Sequence, residues 1–377
     1  EGRIVAAVTK GLSLLAGDIL TCLGDLDATW KALLAGRTGL GNQIVSPCTT
    51  NYPLGIVQGL AESFGCELRL QVFLTQLLKN VPPLPPATQL FVATTKGAVD
   101  DLDSRKKYPE PQNGQPWTLA RSINDTFALE TEPVTVSGAC ASGSLAVIQA
   151  AMAIDAGQCK HALIVAVDLV AEFVLRGFDS LKALSPTSVR PFDKGRDGLA
   201  LGDGGAWLFM SSDSAIEEQT VSLAKLDRWG IGCDATHITA PCRNGSGLSR
   251  VFDQMLMGGS SGQVTPGGIN GHGTGTGYND AMEMLVFDAK CGSTVPFCSV
   301  KGAIGHSLGA AGLIEVMLSI KSLQEMKLPP TVGLTSPEGD RANVSGTTAL
   351  PLQTPSIITC NSGFGGINAG LLLSRPE

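Results

Sequence analysis

The stretch that decides the fold is VTVSGACASGSLAVIQA, residues 134–150. A short β-branched run passes through small residues into an almost entirely apolar run, a pattern typical of a strand, a sharp turn and a buried helix. Cys140 lies in the turn, where its small neighbours leave room for a substrate against the sulfur. Unpaired N–H groups at a helix start favour negative charge. We therefore predict that Cys140 is a nucleophile whose thiol pKa is lowered by the helix N-terminus.

A second stretch, VKGAIGHSLGAAGLIEVMLSI at 300–320, repeats the pattern of the first. Both apolar runs lack a polar face, which indicates helices buried on every side, as between two sheets. We predict strands at 133–137, 161–167, 205–211, 296–300, 355–360 and 369–373, turns at 138–143 and 301–306, and helices at 144–156 and 307–319. The fold class is therefore α/β with two pseudo-repeated halves, 1–214 and 215–377, divided at a polar connection near 212–219. The alternative is a single unrelated α/β enzyme in which the two helices are similar by accident.

Composition excludes several classes of protein. A net charge of −7 and a pI near 5.2 argue against a nucleic-acid binder. The ten cysteines have neither CxxC pairs nor regular spacing, which argues against a zinc site or a disulfide framework. We therefore expect that the protein holds no metal and resides in the reducing cytoplasm. No apolar run reaches the ~18 residues that a membrane span needs, and the first residues lack the form of a signal peptide. A cytoplasmic protein that binds neither nucleic acid nor membrane is expected.

Two histidines lie in glycine-rich surroundings. His272 belongs to GHGTGTGYND, residues 271–280, where its neighbours have little or no side chain and Thr274 and Thr276 offer hydroxyls to a polar ligand. The same run could be a phosphate-binding loop, but no Gly-Lys-Ser/Thr follows it. His306 begins the second predicted helix, and a helix N-terminus disfavours a protonated imidazole. We predict that both histidines are neutral partners of the thiol.

Four other residues, one buried pair and two further histidines, accompany these positions. Glu315 is the lone charge in the second apolar helix, and a buried carboxylate must be paired, so Lys301 is its predicted partner. That pair either supports the fold alone or also belongs to the catalytic set. Of the remaining histidines, His161 precedes a strand and is interpreted as structural, whereas His237 lies in a loop that could line the site.

The proposed set has one thiol and two neutral histidines, without a carboxylate-oriented triad. Hydrolysis requires a base that activates water, which this set does not provide. Two histidines that donate to one carbonyl oxygen would instead stabilise an enolate. Such a set suits an acyl-thioester enzyme that forms carbon–carbon bonds.

In these motifs the chain resembles the β-ketoacyl synthases, the condensing enzymes of the thiolase superfamily, most closely the ketoacyl-acyl carrier protein synthase I/II type. The resemblance covers nearly the whole chain, and its motifs occur in the family's order. They are WKALLAGRTG at 30–39, GACASGS around Cys140, RPFDKGRDG at 190–198, DATHITAP at 234–241, HGTGT at 272–276 with Asp280 and Glu283, KGAIGHSLGAAG at 301–312, and NSGFGGIN at 361–368.

The resemblance implies a thiolase-like, five-layered αβαβα fold and a dimer. It implies that Cys140 takes an acyl group from a carrier thioester, that the N–H groups of Cys140 and Phe364 form an oxyanion hole, and that Phe364 is the gate of the acyl pocket. His272 and His306 would bind the malonyl carbonyl during decarboxylation, with Lys301 in the same set.

The resemblance also implies the substrate carrier. Thr274 and Thr276 would contact the phosphopantetheine arm of an acyl carrier protein, and no cofactor of the enzyme's own is expected. The chain departs from the family where Ser362 runs directly into Gly363, one aromatic residue short of the usual bend. The basic residues expected to face an acidic carrier are few, and the clearest candidates are Arg105, Lys106 and Lys107. Such trimming is similar to condensing enzymes of polyene or polyketide pathways.

Two other functions remain open. A thiolase-type acyltransferase would use a second cysteine near the C-terminus as a base, and Cys360 occupies such a position. A non-catalytic partner subunit that sets chain length in a heterodimer would have the same fold. Retention of Cys140, His272 and His306 argues against that partner role, because such a subunit needs none of them.

Overall fold

The computed structural model describes residues 7–8, 11–43, 51–60, 67–99, 114–217, 219–258 and 262–376. The strands in these residues are β1 (Ala7–Val8), β2 (Leu12–Thr21), β3 (Gly41–Gln43), β4 (Tyr52–Leu54), β5 (Gln89–Ala93), β6 (Val134–Val136), β7 (His161–Asp168), β8 (Gly204–Ser212), β9 (Ala224–Cys233), β10 (Met257–Gly258), β11 (Gly262–Gln263), β12 (Ile269–Asn270), β13 (Phe297–Cys298), β14 (Lys327–Leu328), β15 (Leu350–Pro351), β16 (Ser356–Gly363) and β17 (Ile367–Ser374). The α-helices are α1 (Leu26–Leu34), α2 (Glu67–Leu78), α3 (Pro116–Phe127), α4 (Ser142–Asp155), α5 (Glu172–Ser180), α6 (Ser246–Leu256), α7 (Gly277–Cys291), α8 (Lys301–Ile304) and α9 (Ala311–Glu325).

The main sheet contains the same five-strand arrangement twice. Its order is β13-β12-β16-β17-β9-β2-β8-β7-β5-β6, with β1 paired to β9. In the first half, β2, β8 and β7 are antiparallel neighbours and β7, β5 and β6 are parallel; in the second, β9, β17 and β16 are antiparallel and β16, β12 and β13 are parallel. A short antiparallel pairing of β2 with β9 joins the halves. The predicted pseudo-repeat is therefore present in the topology.

Helices α4 and α9 lie between the two half-sheets. Helix α4 packs on β5, β7 and β17, while α9 packs on β8, β16 and α4 itself. Their apolar side chains form one large core with the inner faces of both half-sheets. Helix α6 covers the outer face of β9 and β17, and α2 and α3 cover the first half-sheet. The layers are thus helix, sheet, helix, sheet, helix, and the predicted five-layered α/β fold is confirmed.

The two central helices cross at equivalent positions. Gly143 is the second residue of α4 and Gly312 the second residue of α9. A Cβ on Gly143 would meet the Leu313 nitrogen at 2.6 Å, and a Cβ on Gly312 would meet the Ser144 nitrogen at 2.6 Å. The backbones are therefore in contact at both residues, with no space for a side chain.

The second strand–turn–helix unit differs from its prediction. Helix α9 begins at Ala311 rather than 307, after a 3₁₀ turn at Leu308–Ala310, and the predicted turn at 301–306 contains the short helix α8. The cause is backbone conformation, since Gly305 (φ 76°) and Leu308 (φ 50°) are left-handed and interrupt a continuous helix. His306 therefore precedes the helix instead of starting it.

The connection between the halves lies between Ser212 and Ala224. The exact division at 214 and 215 stays a prediction. In the described part of the chain, no helix combines the length and the apolar character needed to cross a bilayer.

Candidate active site

Cys140 lies in a tight elbow between β6 and α4. Ala139 has the left-handed φ of 49°, and the Ser142 hydroxyl closes the turn by accepting from the Gly138 nitrogen (2.9 Å) and donating to the Ala139 carbonyl (2.6 Å). Small residues are needed here because the backbone reverses within a few residues. The elbow presents the thiol to a cavity, yet the residue is only 6% exposed.

The predicted lowering of the Cys140 pKa is wrong. Burial raises the pKa of the thiol to about 11, against the opposing effects of the Lys301 ammonium and of the Phe364 and Cys140 N–H groups. Helix α4 begins at Ser142, two residues after the cysteine. Loss of hydration therefore outweighs the helix N-terminus, and the resting thiol is protonated near neutral pH.

The structure brings Cys140, His272 and His306 together. The sulfur and one nitrogen of each ring lie within 4.8 Å of one another, and all three residues are buried. The two imidazole rings meet edge to face, with centroids 5.0 Å apart. Three segments far apart in the sequence therefore form one site.

The surroundings of His272 determine which ring nitrogen carries the proton. Its Nδ1 lies 3.2 Å from Lys301 Nζ and 3.2 Å from Asn361 Nδ2. The Asn361 amide is oriented because Ser144 Oγ donates to its Oδ1 (2.5 Å) and its Nδ2 donates to Glu315 Oε2 (2.6 Å). Both groups beside Nδ1 are donors, so Nδ1 accepts and the proton belongs on Nε2.

His306 has the same tautomer for a similar reason. The Leu308 N–H donates to its Nδ1 at 3.2 Å, which leaves the proton on Nε2. That Nε2 is buried and has no hydrogen-bond partner among the described residues. Burial, followed by the nearby Lys301 charge, lowers the pKa of both histidines well below 6.5. Both rings are neutral, as predicted, but through burial rather than a helix end.

Lys301 and Glu315 form the predicted ion pair, fully buried behind His272. The Lys301 ammonium also donates to the His272 carbonyl at 2.5 Å. Besides holding the ring, the pair thus fixes the backbone at His272. A lysine and a glutamate that neutralise each other leave the site without an uncompensated buried charge.

The loop that carries His272 is fixed by two carboxylates on α7. Glu283 accepts from the His272 nitrogen (2.6 Å) and the Gly273 nitrogen (2.7 Å), and Asp280 accepts from the Thr274 nitrogen (3.0 Å). Burial, followed by the neighbouring Asp280, raises the pKa of Glu283 to about 8. A carboxylate at the start of a helix after a glycine-rich run is a signal for such an anchor. Asn361, by contrast, could not be placed beside His272 from the sequence.

A cavity of about 500 Å³ leads to the thiol. Cys140, His272 and His306 lie on its wall with Thr274 and Thr276, whose hydroxyl oxygens are 2.9 Å apart. The mouth carries exposed apolar side chains and one exposed lysine, namely Leu181, Ile238, Tyr278 and Lys182. The cavity therefore combines histidine and threonine side chains near the thiol with apolar and basic side chains at its opening.

Phe364 lies in the bend between β16 and β17, beside the elbow. Its ring packs on Phe178 with centroids 5.6 Å apart, and both residues line the cavity. Gly365, with φ 87°, donates its N–H to the Ile238 carbonyl at 2.6 Å. This bend is thus bonded to the loop at 234–241, and its phenylalanine lies beside Cys140.

The other candidate residues lie elsewhere. His161 Nδ1 is 2.7 Å from Ser211 Oγ on the neighbouring strand, in accordance with a structural role. His237 is exposed and lines a shallower cleft beside the main cavity. The three basic candidates Arg105, Lys106 and Lys107 lie outside the described residues.

Among the described residues, Cys140, His272 and His306 are also the one cluster spaced closely enough to surround a metal ion. A metal-bound histidine donates its other N–H to an acceptor. Here the other nitrogen, Nδ1, faces N–H donors in both rings, from Lys301, Asn361 and Leu308. The two Nε2–H groups therefore suit an oxyanion better than a cation.

Comparison with known proteins gives the same family from several directions. The model for "Beta-ketoacyl synthase, N-terminal domain" matches residues 84–215, and that for "Beta-ketoacyl synthase, C-terminal domain" matches 223–335. "Putative polyketide beta-ketoacyl synthase 1" of Streptomyces halstedii is 31% identical over 290 residues, which cover 74% of this chain and 69% of that protein. The 3-oxoacyl-(acyl-carrier-protein) synthase 2 of Vibrio cholerae is 26% identical over 395 residues, 93% of this chain and 95% of its own.

A solved structure agrees over the whole fold. A chain from the structure of a ketosynthase in complex with its chain length factor, from Xenorhabdus doucetiae, superposes with a TM-score of 0.79 at 25% identity, and the match covers 97% of this chain and 98% of that one. The conclusion rests on two domain models matched in order, on relatives named as synthases, and on a shared three-dimensional structure. This chain belongs to the beta-ketoacyl synthase family.

Proposed function

We propose that the chain catalyses decarboxylative Claisen condensation between an acyl group on Cys140 and malonyl-acyl carrier protein, in fatty acid, polyene or polyketide synthesis. One observation carries this proposal. Two neutral histidines, each with its proton on Nε2, line the same cavity as the buried thiol and have a ring nitrogen within 4.8 Å of the sulfur. Preplaced donors without a charged base suit the stabilisation of an enolate.

In the first step, the Cys140 sulfur attacks the carbonyl of an acyl-carrier thioester. The bond from that carbonyl to the carrier sulfur breaks, and the proton of Cys140 passes to the departing carrier thiol. The Cys140 and Phe364 N–H groups both act on the sulfur and lower its pKa. That position supports their role as the oxyanion hole for the tetrahedral intermediate.

In the second step, the malonyl group loses CO₂ and its electron pair becomes an enolate. His272 and His306 would hold the enolate oxygen through Nε2–H. The enolate carbon then attacks the acyl carbonyl, a carbon–carbon bond forms, and the bond to Cys140 breaks. The sulfur leaves as a thiolate and takes up a proton from water, which restores the resting thiol. The resulting carrier thioester is a β-ketoacyl group, and these steps use no cofactor of the enzyme's own.

The acyl carrier protein would deliver both substrates on its phosphopantetheine arm. Thr274 and Thr276 lie on the cavity wall, where their hydroxyls could bind the amides of that arm. A carrier-dependent reaction is supported by the relative named a 3-oxoacyl-(acyl-carrier-protein) synthase, and a heterodimer by the similar structure of a ketosynthase with its chain length factor. We propose a homodimer or a heterodimer of that kind, which native mass measurement would distinguish.

The alternatives have less support. Cys360 is fully buried behind the His272 loop, with its sulfur 3.8 Å from Glu283 Oε1, so it does not face the thiol as a thiolase base would. A partner subunit without activity would have no use for the converging histidines.

The test separates acyl loading from decarboxylation. Cys140→Ala should abolish loading, measured as acyl-protein mass. His272→Ala and His306→Ala should slow CO₂ release from malonyl-carrier by on the order of 10²–10³ while loading continues, and His161→Ala is the matched control. Histidine variants that fail to load but decarboxylate normally would overturn these roles.

A further inference from the structure

Asp168, the last residue of β7, joins the two halves of the molecule at a buried point. Its Oδ1 accepts from Thr94 Oγ1 (2.8 Å) and Lys96 Nζ (2.9 Å). Its Oδ2 accepts from the Thr95 nitrogen (2.9 Å), Thr95 Oγ1 (2.8 Å) and the Gly309 nitrogen (2.8 Å). Four of these five bonds stay within the first half, and the bond to Gly309 crosses to the segment that carries His306.

That segment contains a strained residue. Leu308 has φ 50°, a conformation that a leucine rarely adopts, and such residues persist only where their surroundings hold them. On one side, the His306 backbone is fixed to Ala200 (2.7 Å) and Gly202 (3.1 Å). On the other side, Gly309 is fixed to Asp168. Leu308 is therefore held between two anchors.

The Asp168 anchor is a direct contact. A Cβ on Gly309 would lie 2.8 Å from Asp168 Oδ2 and 3.1 Å from the Thr95 nitrogen, so the carboxylate and the glycine backbone touch. Lys96 is buried beside Asp168 and balances its charge. A charged acceptor held in this way fixes the Gly309 N–H more strongly than a neutral one.

We propose that Asp168 is a positioning residue for His306. By holding Gly309 it keeps Leu308 left-handed, which keeps the Leu308 N–H on His306 Nδ1 and leaves Nε2–H directed into the cavity. The effect on the tautomer is independent of the reaction, and only the effect on the rate rests on the proposed function.

The tautomer can be read directly by ¹⁵N NMR of the histidine rings, because the chain has only four histidines. The signal that disappears in His306→Gln is that of His306. The wild type should show His306 with a protonated Nε2 and an unprotonated Nδ1. In Asp168→Asn, the amide oxygen should turn to the Lys96 ammonium, so that the amide NH₂ faces the Gly309 N–H. These two groups are both donors and repel each other, so Gly309 should lose its anchor. The Nδ1–H tautomer should then become populated.

A second change should reverse the effect. In the double variant Asp168→Asn with Lys96→Met, the amide oxygen is free to face Gly309, and the Nε2–H tautomer should return. Malonyl decarboxylation should fall on the order of tenfold in Asp168→Asn and recover in the double variant, while acyl loading changes little, since one donor is misplaced rather than removed.

The matched control is Asp193→Ala. Asp193 is an equally buried carboxylate that accepts from Gly195, Thr335 and Ser336, but it fixes a different loop. It should lower stability without changing the His306 signals. Unchanged His306 signals in a folded Asp168→Asn variant would overturn the proposal. So would a double variant that fails to recover, or Asp168 variants that do not fold where Asp193→Ala does.

Discussion

The Cys140 thiol lies at the inner end of a cavity, with a pKa raised by burial to about 11. Cys242 differs, since it is partly exposed just after the loop at 234–241, and the Ser246 hydroxyl, 3.6 Å from its sulfur, lowers the pKa of the thiol. Reactivity toward small reagents follows thiolate fraction and access together. The residue proposed as nucleophile is therefore protected from solvent reagents at rest.

We predict that iodoacetamide at pH 7.5 labels Cys242 and the exposed Cys233 before Cys140, as mapped by mass spectrometry. Labelling of Cys140 should accelerate as pH rises toward 11. Because the folded-state pKa exceeds the ordinary 9.0, burial of this thiol favours the folded state below pH 9, and this contribution is lost as pH rises through 11. Cys140 labelled first at neutral pH would contradict the raised pKa.

The buried pair behind His272 leads to a second prediction. Lys301→Ala would leave the Glu315 carboxylate buried with only Asn361 as a partner, and breaking such a pair typically costs about 3–5 kcal/mol. Lys301→Met with Glu315→Gln should recover much of the stability, because the amide oxygen can still accept from Asn361. Activity should stay low, since the Lys301 bonds to His272 are lost. Urea unfolding measures the first effect, and full stability of Lys301→Ala would show that the carboxylate is hydrated.

At the scale of elements, the crossing of α4 and α9 depends on two glycines. Gly143→Ala or Gly312→Ala would place a Cβ 2.6 Å from a backbone nitrogen of the other helix, and overpacking of this kind typically costs about 1–3 kcal/mol. Gly177 in α5 is the control, because its added Cβ meets nothing within 4 Å. Gly177→Ala should stabilise by roughly 0.5–1 kcal/mol through helix propensity. Thermal unfolding of the three variants would test this, and equal effects would refute the close crossing.

Local patterns allowed most of these elements to be predicted. Strands β6, β7 and β8 and helix α4 lie within two residues of their predicted bounds, because apolar runs and small-residue turns are local signals. The start of α9 was placed four residues early. Its delay depends on Leu308, whose left-handed conformation is held by contacts from Ala200, Gly202 and Asp168, and no local pattern contains those contacts.

The candidate active site was likewise predictable only in part. Glycine-rich surroundings were enough to select Cys140, His272 and His306 as partners. The tautomers were not predictable, because the donors on Nδ1 come from Asn361, Lys301 and the Leu308 backbone. The direction of the Cys140 pKa shift was predicted wrongly. Burial raises this pKa, and that burial depends on packing by the second half of the chain.

At the scale of the whole molecule, neither half buries its own central helix. Helix α4 lies against α9 and β17 of the second half, and α9 lies against β8 of the first. We predict that residues 1–214 produced alone do not fold cooperatively, because α4 would expose an apolar face. Near-ultraviolet circular dichroism and hydrogen exchange would test this. A sharp unfolding transition of the isolated half would contradict it.

The glycine crossing also has an evolutionary consequence. Gly143 contacts the residue after Gly312, and Gly312 contacts the residue after Gly143, which is the reciprocal pattern of a two-fold interface between identical surfaces. If the two halves descend from one duplicated unit, the ancestral glycine met its own copy across a symmetry axis. In that ancestor, a single substitution of the glycine would have placed a side chain at both contacts at once. In the present chain the two sides are encoded separately, so one half could become the source of the thiol while the other became the source of the two imidazoles.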